Sequence, residues 1–273
     1  MTRPGTVALP VVLVAALLAG SAYLYAQKPF KQYREIAEPA NNNTPLPPDW
    51  DKPAEWVFTR LKYRDTDRFQ NGLDYYWSMD YPRGDRHLAE GIRRLTSIDV
   101  RSVEQVTELD GSDDIYNWPF LYSAEVGHWD LAEEQAAQLR TYLDRGGFLM
   151  VDDFHGDFEW DVFESNMDMV LPGHTIIDLD ARDTVFHAFN DVNELVQIPG
   201  EQYINSGVPY EKGGVIPRFR AIKDAKGRIV VVICHNMDLG DSIEHSDNPR
   251  YPEHFASLGY KVMTNYVVYA LSH

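Results

Sequence analysis

Residues 118–154 read WPFLYSAEVGHWDLAEEQAAQLRTYLDRGGFLMVDDF, and this stretch decides the fold class. A short apolar run at residues 119–122 is typical of a buried strand. Apolar side chains then recur near the helical period as far as Gly146 and Gly147. We expect the helix to end there, because glycine takes the left-handed conformation without strain. A second apolar run follows at residues 148–151. The pattern predicts a strand, a helix and a second strand, the repeating unit of an α/β sheet.

The rest of the chain continues this alternation. Asp130 and Glu133 predict a capping box at the start of the central helix. Residues 172–214 and 234–250 show no clear period, so we expect an irregular insertion and a polar loop. The other predicted elements are helices over residues 86–95, 161–171 and 253–271, a strand over 57–63, a strand within 98–106, and a β-hairpin of 219–222 with 228–233. Together they predict a three-layer α/β sandwich with a mostly parallel sheet and an antiparallel edge hairpin near the C-terminus.

The composition is that of an acidic globular protein. The 273 residues are 44% hydrophobic and 12% aromatic, which is enough apolar material for one large core. The formal net charge of −17 argues against nucleic acid as a partner, because phosphate binding needs a basic surface. We therefore expect the partner to be a small molecule or a protein of the cell envelope.

The N-terminal part of the chain predicts export. Residues 5–26 carry no charge and Arg3 precedes them, as in a signal peptide. The same stretch is about long enough to span a bilayer uncleaved, so a signal peptide and a membrane anchor are both open. Residues 27–53 are rich in proline and asparagine and predict a linker that is dispensable for folding, followed by a single domain over residues 54–273. We expect an exported, periplasmic or otherwise extracytoplasmic protein.

Several separated motifs resemble a bacterial family, the domain-of-unknown-function family 4159. They are DYPRGD at residues 80–85, PFLY at 119–122, LAEEQAAQLRTYLDRGGFLMVDDF at 131–154, KGRIVVVICHNMDLGD at 226–241 and GYKVMTNYVVYAL at 259–271. The resemblance covers about residues 56–272. This family is similar to the class I glutamine amidotransferase-like superfamily, including its trehalose-utilisation (ThuA-like) branch. The resemblance implies an amidotransferase-like α/β fold, and it brings no established activity with it.

The chain departs from the amidotransferases at the nucleophile. Those enzymes hold a reactive cysteine on a tight strand-to-helix turn with glycine neighbours. Here Asp152 follows the strand after Gly147, and the single cysteine, Cys234, lies between Ile233 and His235. We therefore expect a scaffold without glutaminase chemistry, in which Cys234 is a small buried hydrophobic residue.

Polar residues after the strand at residues 148–151 form the first candidate ligand site. Asp152, Asp153 and His155 follow this strand, and in a parallel sheet ligands bind beyond the carboxyl ends of the strands. Carboxylates and imidazole there can ligate a cation or act as acid and base. The alternative is that the carboxylates accept backbone N–H bonds and fix the loop.

A second polar cluster follows the strand at residues 229–233. It contains His235, Asn236, Asp241 and Glu244, whose spacing matches no metal motif. The alternative interpretation is a polar loop with its hydrogen bonds satisfied internally. Because we expect the two strands to be parallel, the first and second clusters should meet at one edge of the sheet.

The third candidate is DYPRGD, which contains Asp80, Tyr81 and Asp85. Asp85 is interpreted as the N-cap of the following helix. The alternative is an anion site at the helix N-terminus assisted by Arg83. The preceding Trp77 either stacks on a sugar ligand or packs in the core.

Two functions fit these patterns. The first is a non-catalytic domain that binds a ligand or partner in the cell envelope. The second is a hydrolase, metal-assisted or not, that acts on a carbohydrate or related envelope substrate. None of the patterns identifies a catalytic residue, a metal or a cofactor.

Overall fold

The computed structural model describes residues 28–34, 39–66 and 74–273. At its centre is a seven-stranded sheet in the order β2-β1-β3-β4-β7-β6-β5. The strands are β1 (Thr59–Lys62), β2 (Gln105–Glu108), β3 (Phe120–Ala124), β4 (Phe148–Phe154), β5 (Ile176–Asp178), β6 (Arg218–Lys223) and β7 (Ile229–His235). The first five strands in this order are parallel, and the β7-β6-β5 pairings are antiparallel. The predicted fold class is confirmed.

Helices cover both faces of the sheet. They are α1 (Arg83–Leu95), α2 (Glu133–Asp144), α3 (Gly156–Val170), α4 (Tyr203–Ser206), α5 (Leu239–Glu244) and α6 (Glu253–Ser272). Apolar residues of α1, α5 and α6 share one core with one face of the sheet. Those of α2 and α3 share a second core with the other face. The result is the three-layer sandwich that the sequence predicted.

The alternation of side chains along β4 separates the two cores. Phe148 and Met150 belong to the core beneath α1 and α6, whereas Leu149 and Val151 belong to the core beneath α2 and α3. Successive strand residues point to opposite faces, so a strand covered on both sides must be apolar throughout. The strand continues past Val151 to residue 154, and an irregularity in its pairing with β7 falls between Val151 and Phe154.

The predicted start of the central helix is wrong. The helix α2 begins at Glu133, with Ala132 in the N-cap position. The side-chain oxygen of Gln135 accepts the Ala132 N–H at 3.0 Å, so the capping box predicted for Asp130 and Glu133 does not form. Gly146 has a φ of 105° and ends the helix as expected.

Four other segments differ from the prediction. The strand predicted within residues 98–106 begins only at residue 105. The helix α3 begins at residue 156 instead of 161. Its first turn is acidic, which suits a helix N-terminus, but it lacks the apolar spacing from which a helix is predicted. The region 172–214 contains the three-residue strand β5, which is too short to show a pattern. The predicted polar loop 234–250 contains α5, most of whose residues are buried, so it has no polar face to reveal a helical period.

The described parts of the predicted linker pack onto the domain. The contacts are Lys28 Nζ to Asp110 at 2.7 Å, the Tyr33 N–H to Tyr81 Oη at 3.0 Å, Asn41 Nδ2 to Glu244 Oε1 at 2.7 Å, and Arg86 to the carbonyls of Thr44 and Pro45 at 3.2 Å. These contacts favour a docked segment over a free linker. The domain boundary at residue 54 stays a prediction.

The predicted signal peptide or membrane anchor, residues 5–26, lies outside the described residues. Within residues 28–34, 39–66 and 74–273, no helix combines the length and the apolar character needed to cross a membrane. Export and anchoring both stay predictions.

We expect Gly147→Val to destabilise the domain strongly. A Cβ at residue 147 would overlap the ring of Tyr142, whose hydroxyl donates to the Phe148 carbonyl at 3.0 Å. Displacing this buried ring should lower the free energy of unfolding by about 3 kcal/mol, measured by chemical denaturation. The control is Gly173→Asn, because residue 173 has a φ of 72° and a Cβ added there would meet no atom within 4 Å. Equal stability of Gly147→Val and wild type would contradict this account.

Removal of the docked segment should lower stability. A protein that starts at Ala54 loses the contacts of Lys28, Tyr33 and Asn41 with the domain. Each hydrogen bond contributes about 1 kcal/mol, and 1 kcal/mol shifts the melting temperature of a domain this size by about 2–4 °C. We therefore expect a melting temperature lower by at least about 4 °C than that of a protein starting at Lys28. Identical melting curves would restore the free-linker interpretation.

Candidate functional site

The loops after β4 and β7 meet at the carboxyl edge of the sheet. Asp152, at the end of β4, is fully buried. Its Oδ2 accepts the backbone N–H groups of Leu239 and Gly240, both at 2.9 Å, and the hydroxyl of Tyr122 at 3.2 Å. Its Oδ1 is buried and has no hydrogen-bond partner among the described residues. Asp152 therefore fixes the start of α5 while one of its oxygens stays unpaired among the described residues.

Asp80 approaches the same point from the loop before α1. Its φ of 61° turns the chain, and the residue is 3% exposed. A Cβ on residue 240 would overlap both Asp80 Oδ2 and the Tyr122 hydroxyl, so glycine at this position permits the close approach. Asp80 Oδ2 is buried without a partner in the described part of the chain. Two carboxylates that approach Gly240 thus each carry one unpaired oxygen.

Further carboxylates surround these two. Asp238 is the N-cap of α5, where its Oδ1 accepts the Asp241 N–H at 2.7 Å. Burial and the nearby charges of Asp153 and Asp241 raise the pKa of Asp238 well above its ordinary value. Burial, together with the charge of Asp241 among others, also raises the pKa of Asp80. Burial and the charge of Asp153 raise the pKa of Asp152 to about 8. Crowded and desolvated carboxylates favour either a proton or a bound cation.

His155 lies beside this group of acids. Its Nε2 is 3.2 Å from Asp153 Oδ1, and its Nδ1 is buried without a partner among the described residues. Burial alone would lower the pKa of His155, but the hydrogen bond and charge of Asp153 outweigh it, and the pKa is raised. The predicted cluster of Asp152, Asp153 and His155 is thus brought together with Asp80 and Asp241.

Two groups of side chains at this edge have the composition of metal ligands. The first is Glu125, His128 and Glu159. Lys212 already occupies this group, with its Nζ 2.6 Å from Glu159 Oε1 and 3.7 Å from Glu125 Oε2. Burial alone would raise the pKa of Glu159, but hydrogen bonds from His128 and Lys212 lower it to about 2. This group is an ion-pair network.

The second group is Asp241, Glu244 and His245, on one turn at the end of α5. His245 Nε2 lies 3.4 Å from Asp241 Oδ1 and 3.8 Å from Glu244 Oε2. Glu201 Oε2 is 3.9 Å from the same nitrogen. Among the described residues, no lysine or arginine forms an ion pair with Asp241, whereas Arg83 comes within 3.7 Å of the other oxygen of Glu244.

Four predicted site residues have structural roles instead, and two of them are Tyr81 and Asn236. Tyr81 is fully buried and packs on Trp77, with ring centroids 5.5 Å apart. Asn236 ties two loops together, since its side chain accepts the Gly156 N–H and donates to the Ile216 carbonyl, both at 2.8 Å. Trp77 itself is 2% exposed, so it belongs to the core and offers no sugar platform.

His235 and Asp85 are the other two, and each is held by a structural contact. His235 Nε2 lies 3.1 Å from the Gly156 carbonyl, and the ring stacks on Phe154 at 4.9 Å. Burial lowers the pKa of His235 to about 4, so it is neutral at pH 7. The interpretation of Asp85 as an N-cap is wrong, because Asp85 lies inside α1 and forms a buried ion pair with Arg60, whose Nε is 3.0 Å from Asp85 Oδ2.

The buried cysteine carries no catalytic environment. Cys234 is fully buried in the core beneath α6. Burial raises the pKa of its thiol well above the ordinary value, and its hydrogen-bond neighbour is Tyr266. A thiol in this state is a poor nucleophile.

Sequence reasoning missed several residues of the site. Glu125 directly follows β3, so the rule that found Asp152 would have found it had that strand been extended to Ala124. Asp238 stands three residues before Asp241, which is an N-cap spacing, but the short helix behind it was not recognised. Glu201 and Lys212 come from the irregular insertion, where no sequence signal points to this edge.

Comparison with known proteins agrees with the resemblance of the motifs. The model of the family described as "Domain of unknown function (DUF4159)" matches residues 57–271. The chain belongs to the DUF4159 family. No curated protein matches the chain at a significant level. The function of the acidic edge in this DUF4159 domain therefore has to be inferred from its geometry.

The stability of the DUF4159 domain should fall as pH rises in the absence of cations. Asp152 has a folded pKa of about 8, whereas an unfolded aspartate titrates near ~3.9. The folded state binds more protons between these values, so this contribution is complete below about pH 4 and is lost as pH approaches about 8. Melting temperatures in a chelating buffer should decline across this window. Asp152→Asn should show a shallower decline.

The exposed Asp157→Asn at the start of α3 is the control for this pH dependence. It should follow the wild-type slope, since its carboxylate lies at the surface. Equal slopes for wild type and Asp152→Asn would show that Asp152 titrates normally in the fold.

Proposed function

We propose that this chain is a ligand-binding α/β domain of the bacterial cell envelope. It holds a small cation at the carboxyl edge of its sheet and does not act as an enzyme. The ligand is either a metal ion or a primary ammonium group, which share a positive charge and a need for oxygen partners. The chain would thus use an amidotransferase-like scaffold for binding instead of catalysis.

The observation that carries this proposal is the surplus of buried negative charge. Asp80 and Asp152 each bury a carboxylate oxygen that has no hydrogen-bond partner among the described residues. Asp153 and Asp238 lie close enough to shift the pKa values of their neighbours. Burying an uncompensated carboxylate is costly, so such a group is expected to pair with a cation or to keep a proton.

The position of these acids in the sheet supports a ligand site. The strand β1 pairs with β2 on one side and with β3 on the other. The chain therefore reverses direction across the sheet between β1 and β3, which is where α/β sheets open a crevice at their carboxyl edge. Tyr122 of β3 pairs with Arg60 of β1 at this point, and the Tyr122 hydroxyl reaches Asp152.

The state of the candidate nucleophile supports binding over turnover. The position after β4's apolar run holds Asp152 instead of the cysteine of amidotransferases. The single cysteine is buried with a raised pKa. The mostly parallel sheet and its antiparallel edge support membership of the amidotransferase-like superfamily at the level of fold.

Localisation in the envelope is supported by the sequence. Residues 5–26 are uncharged and follow Arg3, as in an export signal. If this stretch is retained, it would hold the domain at a membrane, and if it is cleaved, the domain would be released. The acidic surface implied by a net charge of −17 suits a cationic ligand and a small-molecule or protein partner.

Equilibrium binding to a panel of cations tests the proposal. The panel contains Zn²⁺, Mn²⁺, Mg²⁺, Ca²⁺ and a short alkyl diamine, each titrated into chelator-treated protein in a calorimeter. We expect at least one of these cations to bind and to raise the melting temperature. Asp153→Asn should weaken that binding at least about tenfold, since it removes a charge from the centre of the acids.

The exposed Asp157→Asn is the matched control, because it removes the same charge four residues later in the chain. It should bind as wild type does. A protein that binds no member of the panel, or an Asp153→Asn variant with wild-type affinity, would refute the proposal.

A hydrolase is the second candidate, and one observation favours it. His155 is held by Asp153 at 3.2 Å beside the acids, which is the arrangement of an oriented general base. Trp77, the aromatic residue considered as a sugar platform, does not support it, because its side chain is buried. Release of reducing sugar from cell-wall glycan by wild type, and its loss in His155→Gln, would replace the binding proposal by this one.

A further inference from the structure

We propose that Asp241, Glu244 and His245 form a binding site for one divalent transition-metal ion, with Glu201 at its entrance. The inference rests on the proposed function in placing a cation at this edge of the sheet. It goes further by assigning the ligands and the class of the ion. The three residues lie at positions i, i+3 and i+4 of α5 and its cap, so they face the same side.

The distances between the candidate ligand atoms fit a shared ion better than direct hydrogen bonds. His245 Nε2 lies 3.4 Å from Asp241 Oδ1, 3.8 Å from Glu244 Oε2 and 3.9 Å from Glu201 Oε2. Charged N–H···O hydrogen bonds are shorter, at about 2.7–2.9 Å. Ligand atoms held at about 2.0–2.2 Å from one tetrahedral metal lie about 3.3–3.6 Å apart. The cluster is therefore slightly open and can close around an ion.

Two of these atoms are buried and unpartnered. Glu244 is 1% exposed and His245 is 8% exposed. Glu244 Oε2 and His245 Nε2 have no hydrogen-bond partner among the described residues. A buried acceptor and a buried imidazole nitrogen left unpaired are unfavourable, and a shared metal ion would remove this penalty.

The other oxygen of each carboxylate is already held in place. Asp241 Oδ2 accepts the Glu201 N–H at 2.5 Å, which leaves Oδ1 toward His245. Glu244 Oε1 accepts the side chain of Asn41 at 2.7 Å, which leaves Oε2 toward His245. Hydrogen bonds of this kind orient the ligands of metal sites and contribute to affinity. The hydrogen bond from Asn41 to Glu244 also holds part of the docked N-terminal segment against α5.

The neighbouring group of Glu125, His128 and Glu159 shows what such a cluster looks like when a side chain supplies the cation. There the ammonium of Lys212 reaches Glu159 Oε1 at 2.6 Å. Among the described residues, no lysine or arginine forms an ion pair with Asp241, whose Oδ1 lies 3.4 Å from His245 Nε2. The first group thus carries its own ammonium cation. In the second, Arg83 lies 3.7 Å from Glu244 Oε1, which is not the oxygen nearest His245, so the atoms around His245 Nε2 are left for an ion from solution.

The ligand types select the ion. One imidazole with two or three carboxylates suits Mn²⁺ to Zn²⁺, whereas Mg²⁺ and Ca²⁺ favour oxygen ligands alone. Glu201 has a side chain that is 53% exposed, so an ion can enter from solvent on that side.

Metal titration of the full chain tests the site. After chelation and dialysis, Zn²⁺ and Mn²⁺ are titrated separately by calorimetry, and Mn²⁺ binding is also followed by electron paramagnetic resonance. We expect one equivalent of metal to bind. His245→Gln should weaken binding at least about 100-fold, which is the upper range seen when even a supporting residue is lost. His128→Gln, in the group occupied by Lys212, is the matched control and should bind as wild type.

Glu201→Gln keeps the test decisive if His245→Gln does not fold. Residue 201 is half-exposed, and its replacement should weaken Zn²⁺ binding about tenfold without unfolding the domain. If His245→Gln folds and binds Zn²⁺ with wild-type affinity, the site is wrong. If His245→Gln does not fold, wild-type Zn²⁺ affinity in Glu201→Gln has the same meaning. Either result would overturn this site and leave the proposed cation binding intact. A protein that binds the diamine but neither Zn²⁺ nor Mn²⁺ would also overturn the metal site and leave the proposed cation binding intact. A chain that binds neither class of cation would remove both proposals.

Discussion

The carboxylate of Asp152 holds the site together. It accepts two backbone N–H groups from the first turn of α5 and the hydroxyl of Tyr122 in β3. One fully buried side chain therefore joins the ends of three elements that are far apart in sequence. Because α5 is only six residues long, it has little stability of its own, and its position depends on this anchor. The positions of Asp241 and His245 follow from it.

The electrostatic cost of this arrangement is offset only in part within the described chain. Arg60 is buried against Asp85, and its guanidinium lies 4.9 Å from the centroid of the Tyr122 ring. It is also close enough to Asp80 to oppose the rise in the pKa of Asp80. Lys212 neutralises the acids on the far side, at Glu159. The carboxylates of Asp80 and Asp152 nevertheless keep one unpaired oxygen each among the described residues. A buried polar cluster that is satisfied only in part is the expected signature of a binding site.

The rigid apolar strands and the polar residues of the site are different parts of the fold. The apolar strands β4 and β7 are covered by helices on both faces, and this packing fixes the carboxyl edge. The polar residues of the site lie in the last part of these strands and in the loops beyond them, and several have backbone conformations that regular strands do not allow. Asp80, Asp153 and Asn236 all have positive φ, which turns the chain and brings side chains from different loops to one place. Such strained positions in non-glycine residues concentrate at functional sites.

The layers, the parallel core of the sheet, the closing hairpin and the meeting of the loops after β4 and β7 could all be predicted from the sequence. These follow from local periodicity and from the direction of parallel strands, both of which are properties of short segments. Which polar residues belong to the site could be seen only in the folded structure. Asp85, interpreted from the sequence as a cap, forms a buried ion pair with Arg60 of β1, and the ring nitrogen of His235 contacts the Gly156 carbonyl instead of a ligand site. Glu201 and Lys212 reach the edge from an insertion without periodicity. The partners of a buried charge are set by packing between distant segments, and no local pattern in the chain encodes them.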